Sequence, residues 1–462
     1  MKQREALDIL KSGYNTFLTG PPGSGKTFLL NEYIKYLKKN NVAVSVTAST
    51  GIAATHMGGT TLHSWSGLGI RDEIDDADAR KICEKGYLRK RIKNTGVLII
   101  DEISMIKPSQ FEAVNKICQH IKKVARPFGG MQVVCSGDFF QLPPVYKPAS
   151  PDRQKALFAD DGGMKFVNES GVWREMDMKV CYLDEQHRTK DKKLHKILNH
   201  IRNNEAQKSK DFLFGEGINP TSPRLRGASK FFTRLYTHNV DVDTINYSEL
   251  DKIKGKEYYY QMTSRGNEMV ADILKKSCLA PEKLVLKRGA EVMFIKNNFE
   301  AGYVNGTQGK VVDFVATDLP VVKTQDGKKI TVKFADWTVE EPLEGTRGRE
   351  NSVVAGISQI PLRLAWAITV HKSQGMNLNS AEMDLSRCFL EGMGYVALSR
   401  LKSLKGLRLM GINNLAFCVN KKALEIDKNF KKLSKTHATE LKKMGALATT
   451  KRQKLFLKYL RS

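Results

Sequence analysis

The sequence predicts an α/β protein of two parallel-sheet domains, interrupted by a small helical insertion and a small β module. Three observations support this. Residues 20–27 read GPPGSGKT, set between a short apolar strand and a run with helical spacing. Short β-branched runs recur along both halves of the 462-residue chain and end in polar or charged side chains, as buried parallel strands do. Between about 284 and 360 the pattern changes to alternating segments parted by Asn-Gly, Asp-Gly and Gly-Lys turns, the signature of hairpins. A chain of this length exceeds one ordinary core.

Composition narrows the class. A hydrophobic content of 41% beside 27% charged residues is that of a globular protein. No apolar run approaches the ~20 residues that span a bilayer, and MKQREALDIL has no signal-type apolar core, so a cytoplasmic address and no membrane partner are expected. The seven cysteines form no Cys-x-x-Cys pair, which argues against zinc. Lys and Arg number 75 against 49 acids, a formal net charge of +26. That excess implies a polyanionic partner, nucleic acid first; a solubility or membrane-surface role is the alternative. Composition does not separate DNA from RNA.

In chain order, residues 1–19 supply a short amphipathic helix and the first strand. Gln3 stands where several nucleotide-dependent motors place an adenine-reading glutamine. The glycine loop follows. Its backbone amides turn inward around phosphates, and the start of FLLNEYIKYLKK adds a helix's positive end. Lys26 reaches the outer phosphates and Thr27 a magnesium ion. The candidate nucleotide contacts are Gln3, Gly20, Pro22, Gly23, Ser24, Gly25, Lys26, Thr27 and Phe28.

VAVSVTAST (42–50) reads as a buried strand leading into GIAATHMGGTTLHSW. There Thr50, Thr61 and His63 could bond phosphates, or the segment is simply a glycine-rich crossover. Residues 68–94 turn from acidic to basic without a strand pattern, a helical excursion from the core sheet. GVLIIDEISMI (96–106) is an apolar strand ending in Asp101-Glu102. Carboxylates at that edge lie beside the phosphate loop, Asp101 to hold magnesium and Glu102 to orient or deprotonate the attacking water. MQVVCSGDFFQLPPV (131–145) repeats the plan, with Gln141 as the γ-phosphate sensor. Phe139-Phe140 and Pro143-Pro144 fit core packing or a nucleobase platform, with packing favoured for Phe139. Arg188 lies just past the next strand. Residues 215–229 read as a linker, after which a second strand–helix pattern begins. Arg400 follows an apolar helical stretch in GYVALSR. The last forty residues are basic and helical, either a solvated face or an auxiliary nucleic-acid contact.

These motifs, GPPGSGKT, TASTGIAATHMGGTTLHS, IIDEISM, GDFFQLPPV, GYVNGTQG, LAWAITVHKSQG and GYVALSR, follow one another in the order of a known family. The chain resembles the PIF-type DNA helicases of superfamily one, subgroup B, relatives of the RecD-like and phage Dda-type enzymes. The resemblance implies two RecA-like motor domains, 1–67 with 95–187 and 188–283 with 361–420. It places a strand-separating wedge at 68–94, a Src-homology-three-type β-barrel at 284–360, and leaves a basic tail, 421–462. It implies ATP and Mg2+ as cofactors, with Lys26, Glu102, Gln141, Arg188 and Arg400 catalytic and Thr27 and Asp101 on the metal. DNA contacts would come from Thr50, Gly51, Thr61, His63, Pro143, Asn305, His371, Lys372 and Ser373, the last three sharing with Gln374 a loop that touches the strand or couples it to the ATP site. The implied activity is 5′ to 3′ translocation on single-stranded DNA with duplex unwinding, extending to G-quadruplexes and RNA–DNA hybrids. The implied partners are single-stranded DNA, DNA junctions and single-strand-binding or replication and repair proteins, with a monomer in solution, associated with the nucleoid in a bacterial host. Where the family often writes Phe-Arg-Gln, this chain has His187-Arg188-Thr189.

Two rivals share the loop. A single-strand clamp would hydrolyse ATP on DNA without unwinding it, and a phosphoryl transferase would hydrolyse indifferently to DNA; the charge and the paired arginines speak against the second.

Overall fold

A computed structural model of the chain describes residues 1–69, 71–144, 165–185, 187, 191–218, 233–237, 242–298, 300–315, 318–342 and 351–461. The chain divides into two compact units, one of residues 1–187, 339–354 and 425–462, the other of residues 188–338 and 355–424.

Unit one is built on a six-stranded sheet. Its strands are β1 (Thr16–Thr19), β2 (Val44–Ala48), β3 (Thr60–Thr61), β4 (Val97–Asp101), β5 (Gln132–Gly137) and β6 (Lys179–Tyr182), in the order β3-β2-β4-β5-β1-β6. Every pairing is parallel. All residues of β1, β4 and β5 are buried, which is why their apolar residues stand side by side rather than alternating with exposed polar ones. Helices α1 (Gln3–Lys11) and α2 (Lys26–Lys39) contribute Ala6, Ile9, Leu29, Leu30, Tyr33 and Leu37 to one core with Leu18, Val97, Ile99 and Val134. The buried Tyr33 hydroxyl donates to Gln132 Oε1 at 2.6 Å, and Gln132 donates onward to the Leu10 and Tyr14 carbonyls. A buried polar chain of this kind is stable only when each member is satisfied.

Between β2 and β4 lie four more helices, α3 (Gly51–His56), α4 (Leu62–Ser66), α5 (Asp76–Glu84) and α6 (Gly86–Asn94). The last two occupy the charged stretch and rest on α7 (Pro108–Lys122). Ion pairs from Lys107 to Asp72 and from Lys116 to Asp76, each 2.6 Å, fasten the acidic half.

From residue 425 onward the basic C-terminal residues are a structural part of unit one. The helix Lys421–Arg461 is broken at Gly445, whose φ of 76° lies in the left-handed region. Before the break it lies along edge strand β6, where Ser434 Oγ accepts the Tyr182 amide and His437 Nδ1 the Val180 amide, both at 2.9 Å. Phe430 enters the core against Phe17 and Phe139. Beyond the break, Arg452 lies over the Tyr14 ring, and Leu457 and Leu460 join the core cluster.

His437 makes this attachment pH-sensitive. Burial holds its imidazole below the ordinary value, in the company of Lys179, Glu440 and Asp177. The folded chain therefore excludes a proton that the unfolded chain accepts below about pH 6.5, and stability is lost as pH falls through that value. His437→Asn, which can accept the same amide without titrating, should flatten the fall in Tm between pH 7.5 and 5.5; identical pH profiles for both proteins would refute this.

Unit two contains a four-stranded parallel sheet in the spatial order Ala367–Thr369, Thr233–Tyr236, Ala381–Leu385, Leu407–Ile412. The hairpin-rich stretch forms a five-stranded antiparallel ladder, ordered Lys329–Thr331, Pro320–Thr324, Gln308–Phe314, Glu291–Phe294, Leu362–Leu364. Val292, Phe294, Val311, Val322 and Ile330 fill its core. Among the described residues no pairing joins its two edge strands. Residues 339–354, read from the sequence as part of this module, group with unit one. The Tyr258–Gln261 strand buries Tyr260 and exposes Tyr259.

Candidate nucleotide site

Parallel register sets the carboxyl edge of the first sheet in line. Thr19 of β1 pairs with Gly137 of β5 on one side and Tyr182 of β6 on the other, and Asp101 ends β4 beside Ala48 of β2. The glycine loop leaves β1 at this edge, and α2 starts at Lys26. Two glycines carry a positive φ that a side chain would strain, and at Gly20 a Cβ would also strike backbone. A Cβ on Gly20, whose φ is 145°, would lie 2.2 Å from the Leu183 carbonyl oxygen; one on Gly25, at φ 87°, would lie 2.1 Å from Gln3 Nε2. The loop is also tied from outside. Gln3 Nε2 donates to the Ser24 carbonyl at 3.3 Å and the His187 amide to the Gly23 carbonyl at 2.9 Å. Gln3 thus sits against the loop. The bracing by Leu183 and His187 was not foreseen, and backbone contacts of that kind leave no mark in side-chain identity.

Lys26 donates its ammonium to the Gly20 and Pro21 carbonyls at 2.7 and 3.2 Å. Burial raises the Asp101 carboxyl above its ordinary range, while the hydrogen bond from the Glu102 amide and the nearby Lys26 charge pull it the other way. A buried carboxylate at a strand end with a lysine charge beside it, and a threonine hydroxyl at the head of α2, supply the hard oxygen ligands that suit magnesium. Thr27 and Asp101 are the residues that would hold the ion. Glu102 accompanies them in an unusual state: φ is 51° and ψ 44°, left-handed for a residue with a side chain. Its amide donates to Asp101 Oδ1 at 3.0 Å. Such conformations are costly and concentrate at functional sites.

At the end of β5, Asp138 is wholly buried, its side chain accepting the Phe140 amide at 3.3 Å and its carbonyl the Gln141 amide at 2.9 Å. This tight turn sets Gln141, itself buried, at the same edge. Phe139 stacks on Phe17 with centroids 5.5 Å apart and contacts Phe166, so it is packing. Pro143 and Pro144 are buried too, which does not suit an open base platform.

The other predicted contacts are distributed. Thr50 and Thr61 accept the Ala53 and Ser64 amides at 3.2 Å each, capping α3, which Gly51 begins, and α4. His63 adjoins the Asp72–Lys107–Gln110 cluster; burial lowers its basicity and Asp72 partly restores it. In unit two, His371, Lys372 and Ser373 form the turn after Ala367–Thr369, where Ser373 is buried and donates to the Val370 carbonyl at 2.7 Å. Gln374 is buried beside them and Asn305 is buried in its own turn. Arg400 is 2% exposed, its Nε donating to the Val396 carbonyl at 2.9 Å and its Nη2 to Ser399 Oγ at 2.7 Å. Arg188 lies outside the described residues.

A glycine cradle, a lysine and a carboxylate pair on one parallel edge mark the P-loop nucleoside triphosphatases. Comparison with known proteins refines the class. The family model described as "PIF1-like helicase" matches residues 2–213, and "DNA helicase Pif1, 2B domain" matches residues 270–314. The Psychrobacter sp. (strain PRwf-1) protein named ATP-dependent DNA helicase Pif1 is 41% identical over 500 residues, covering 94% of this chain and 71% of its own. Bacteroides sp. Pif1 in complex with ADP-AlF4 has a TM-score of 0.77 at 28% identity, covering 93% of this chain and 96% of that one. Bacteroides Pif1 bound to single-stranded DNA gives 0.60 at 28%, over 94% and 97%. The chain belongs to the PIF1-like helicase family, and its parallel sheets are those of two RecA-like domains.

Proposed function

We propose that this chain is an ATP- and magnesium-dependent DNA helicase that moves 5′ to 3′ along single-stranded DNA and opens duplexes, G-quadruplexes and RNA–DNA hybrids ahead of it. The observation that carries the reading is the single edge on which Lys26, Asp101, Glu102 and Gln141 follow β1, β4 and β5. Bound magnesium would supply charge neutralisation on the phosphates. Lys26 binds the outer phosphates, Glu102 orients the attacking water and takes its proton, and Gln141 registers the terminal phosphate. Arg188 and Arg400 supply the transition-state charge, which couples turnover to motor closure.

The net charge of +26 favours a backbone-dominated grip on the strand. With ~5 phosphate contacts, log Kobs against log salt should slope at about −3.5 on single strands. The deciding experiment pairs that titration with ATP hydrolysis, with and without single-stranded DNA, and with unwinding of duplexes bearing a 5′ or a 3′ tail. Stimulation with unwinding from the 5′ tail alone is expected. Stimulation without unwinding would leave a clamp or translocase, and hydrolysis indifferent to DNA would overturn the reading.

A further inference from the structure

The first half of the C-terminal helix has two opposed faces. Phe430, Ser434 and His437 are buried and hold it to β6 and to the aromatic core. With 3.6 residues per turn, Lys428, Lys432, Lys435 and Lys443 fall on the opposite side, and all four are exposed. None makes an ion pair among the described residues, whereas Lys431 is paired with Asp427 and Lys442 with Glu5. From Lys428 to Lys443 the row extends about 22 Å at 1.5 Å per residue, and Gly445 then breaks the helix. Between the lysines, the outward positions are Asn429, Thr436 and Thr439, with no aromatic or large apolar side chain.

We propose that this lysine row is a second nucleic-acid surface, one that takes the phosphate backbone of duplex DNA. Three features select that partner. The row is pinned by its buried face, so the four charges keep a fixed spacing instead of belonging to a loose tail. Its lack of exposed aromatics suits a duplex, since single strands are gripped through base stacking as well as charge. Its lack of an apolar anchor disfavours a protein, because protein interfaces draw most of their energy from such anchors, whereas a backbone contact needs only spaced cations. The inference rests on the helicase reading, for which a duplex is always adjacent to the tracked strand.

The test replaces Lys428, Lys432, Lys435 and Lys443 together by Gln in the full chain. Binding to a 5′-tailed duplex and to the tail alone is followed by fluorescence anisotropy from 50 to 200 mM salt. On the tailed duplex the log–log slope should become shallower by about 3–4, at ~0.9 per lost phosphate contact; on the tail alone it should not change. ATP turnover saturated with single strand should match the parent. An unchanged slope on the tailed duplex overturns the proposal, and so does an equal loss on both DNAs, which would place the row on the single-strand path. A control with Lys451, Lys454 and Lys458, exposed beyond the break, changed to Gln must leave the duplex slope near the parent's; an equal change there also overturns it. Competition by a polyglutamate peptide with no duplex effect would make the row a protein surface instead. A parent that binds neither DNA would fail the helicase reading itself, a result separable from any outcome with the variant.

Discussion

Arg400→Ala is expected to reduce DNA-stimulated ATP turnover by about 10³-fold or more, the usual scale for an arginine that neutralises phosphoryl-transfer charge. Single-strand affinity should change little. The side chain is buried, and its bonds to the Val396 carbonyl and Ser399 hydroxyl fix the guanidinium on its own helix end. An orienting role and a purely structural one therefore need separating. Truncation leaves buried acceptors unsatisfied, costing about 1–3 kcal/mol each, so thermal stability must be measured beside turnover. Arg400→Lys keeps the charge and loses the planar fork. If the residue serves transition-state charge, the lysine variant should recover part of the turnover lost by alanine at equal Tm. Turnover that tracks stability across both variants, or near-parent turnover in folded Arg400→Ala, would remove the role.

Glu102→Gln should lower turnover by ~10²-fold or more and leave ATP binding intact. The exchange isolates the carboxylate: glutamine has the same length and the same tolerance of the left-handed backbone, so the bond from the Glu102 amide to Asp101 persists. ATP affinity and turnover, measured separately, decide the matter. Retained turnover would transfer the proton-accepting role to another group. A joint loss of binding and turnover would instead point to damage at Asp101.

How much of this was legible depends on where the constraint resides. The first sheet could be read because β1, β4 and β5 are buried on both faces, so their apolar residues are consecutive rather than alternating. The loop could be read because phosphate cradling needs glycine at fixed spacings: Gly20 has no room for a Cβ, and Gly25 has a left-handed φ. The left-handed Glu102 could not be, since nothing in IIDEISM distinguishes an extended from a strained glutamate. Thr50 and Thr61 present a related ambiguity. Their hydroxyls cap short helices, and a capping threonine and a phosphate-binding threonine are the same letter. The packing of the C-terminal helix was obscure for a different reason. Its buried face includes Ser434 and His437 because it satisfies the backbone of an edge strand, so the apolar periodicity that reveals packed helices is interrupted.

That helix also imposes an order on biosynthesis. The sheet it completes is otherwise made by residue 187, yet the side chains that occupy the outer amides of β6 come from residues 434 and 437. At ~5–20 residues per second, the ribosome leaves that strand edge uncovered for tens of seconds. An uncovered edge is a template for pairing with another chain. The nascent protein therefore passes through a window in which its first domain holds most of its core but lacks its cover, and chaperone demand should be greatest there.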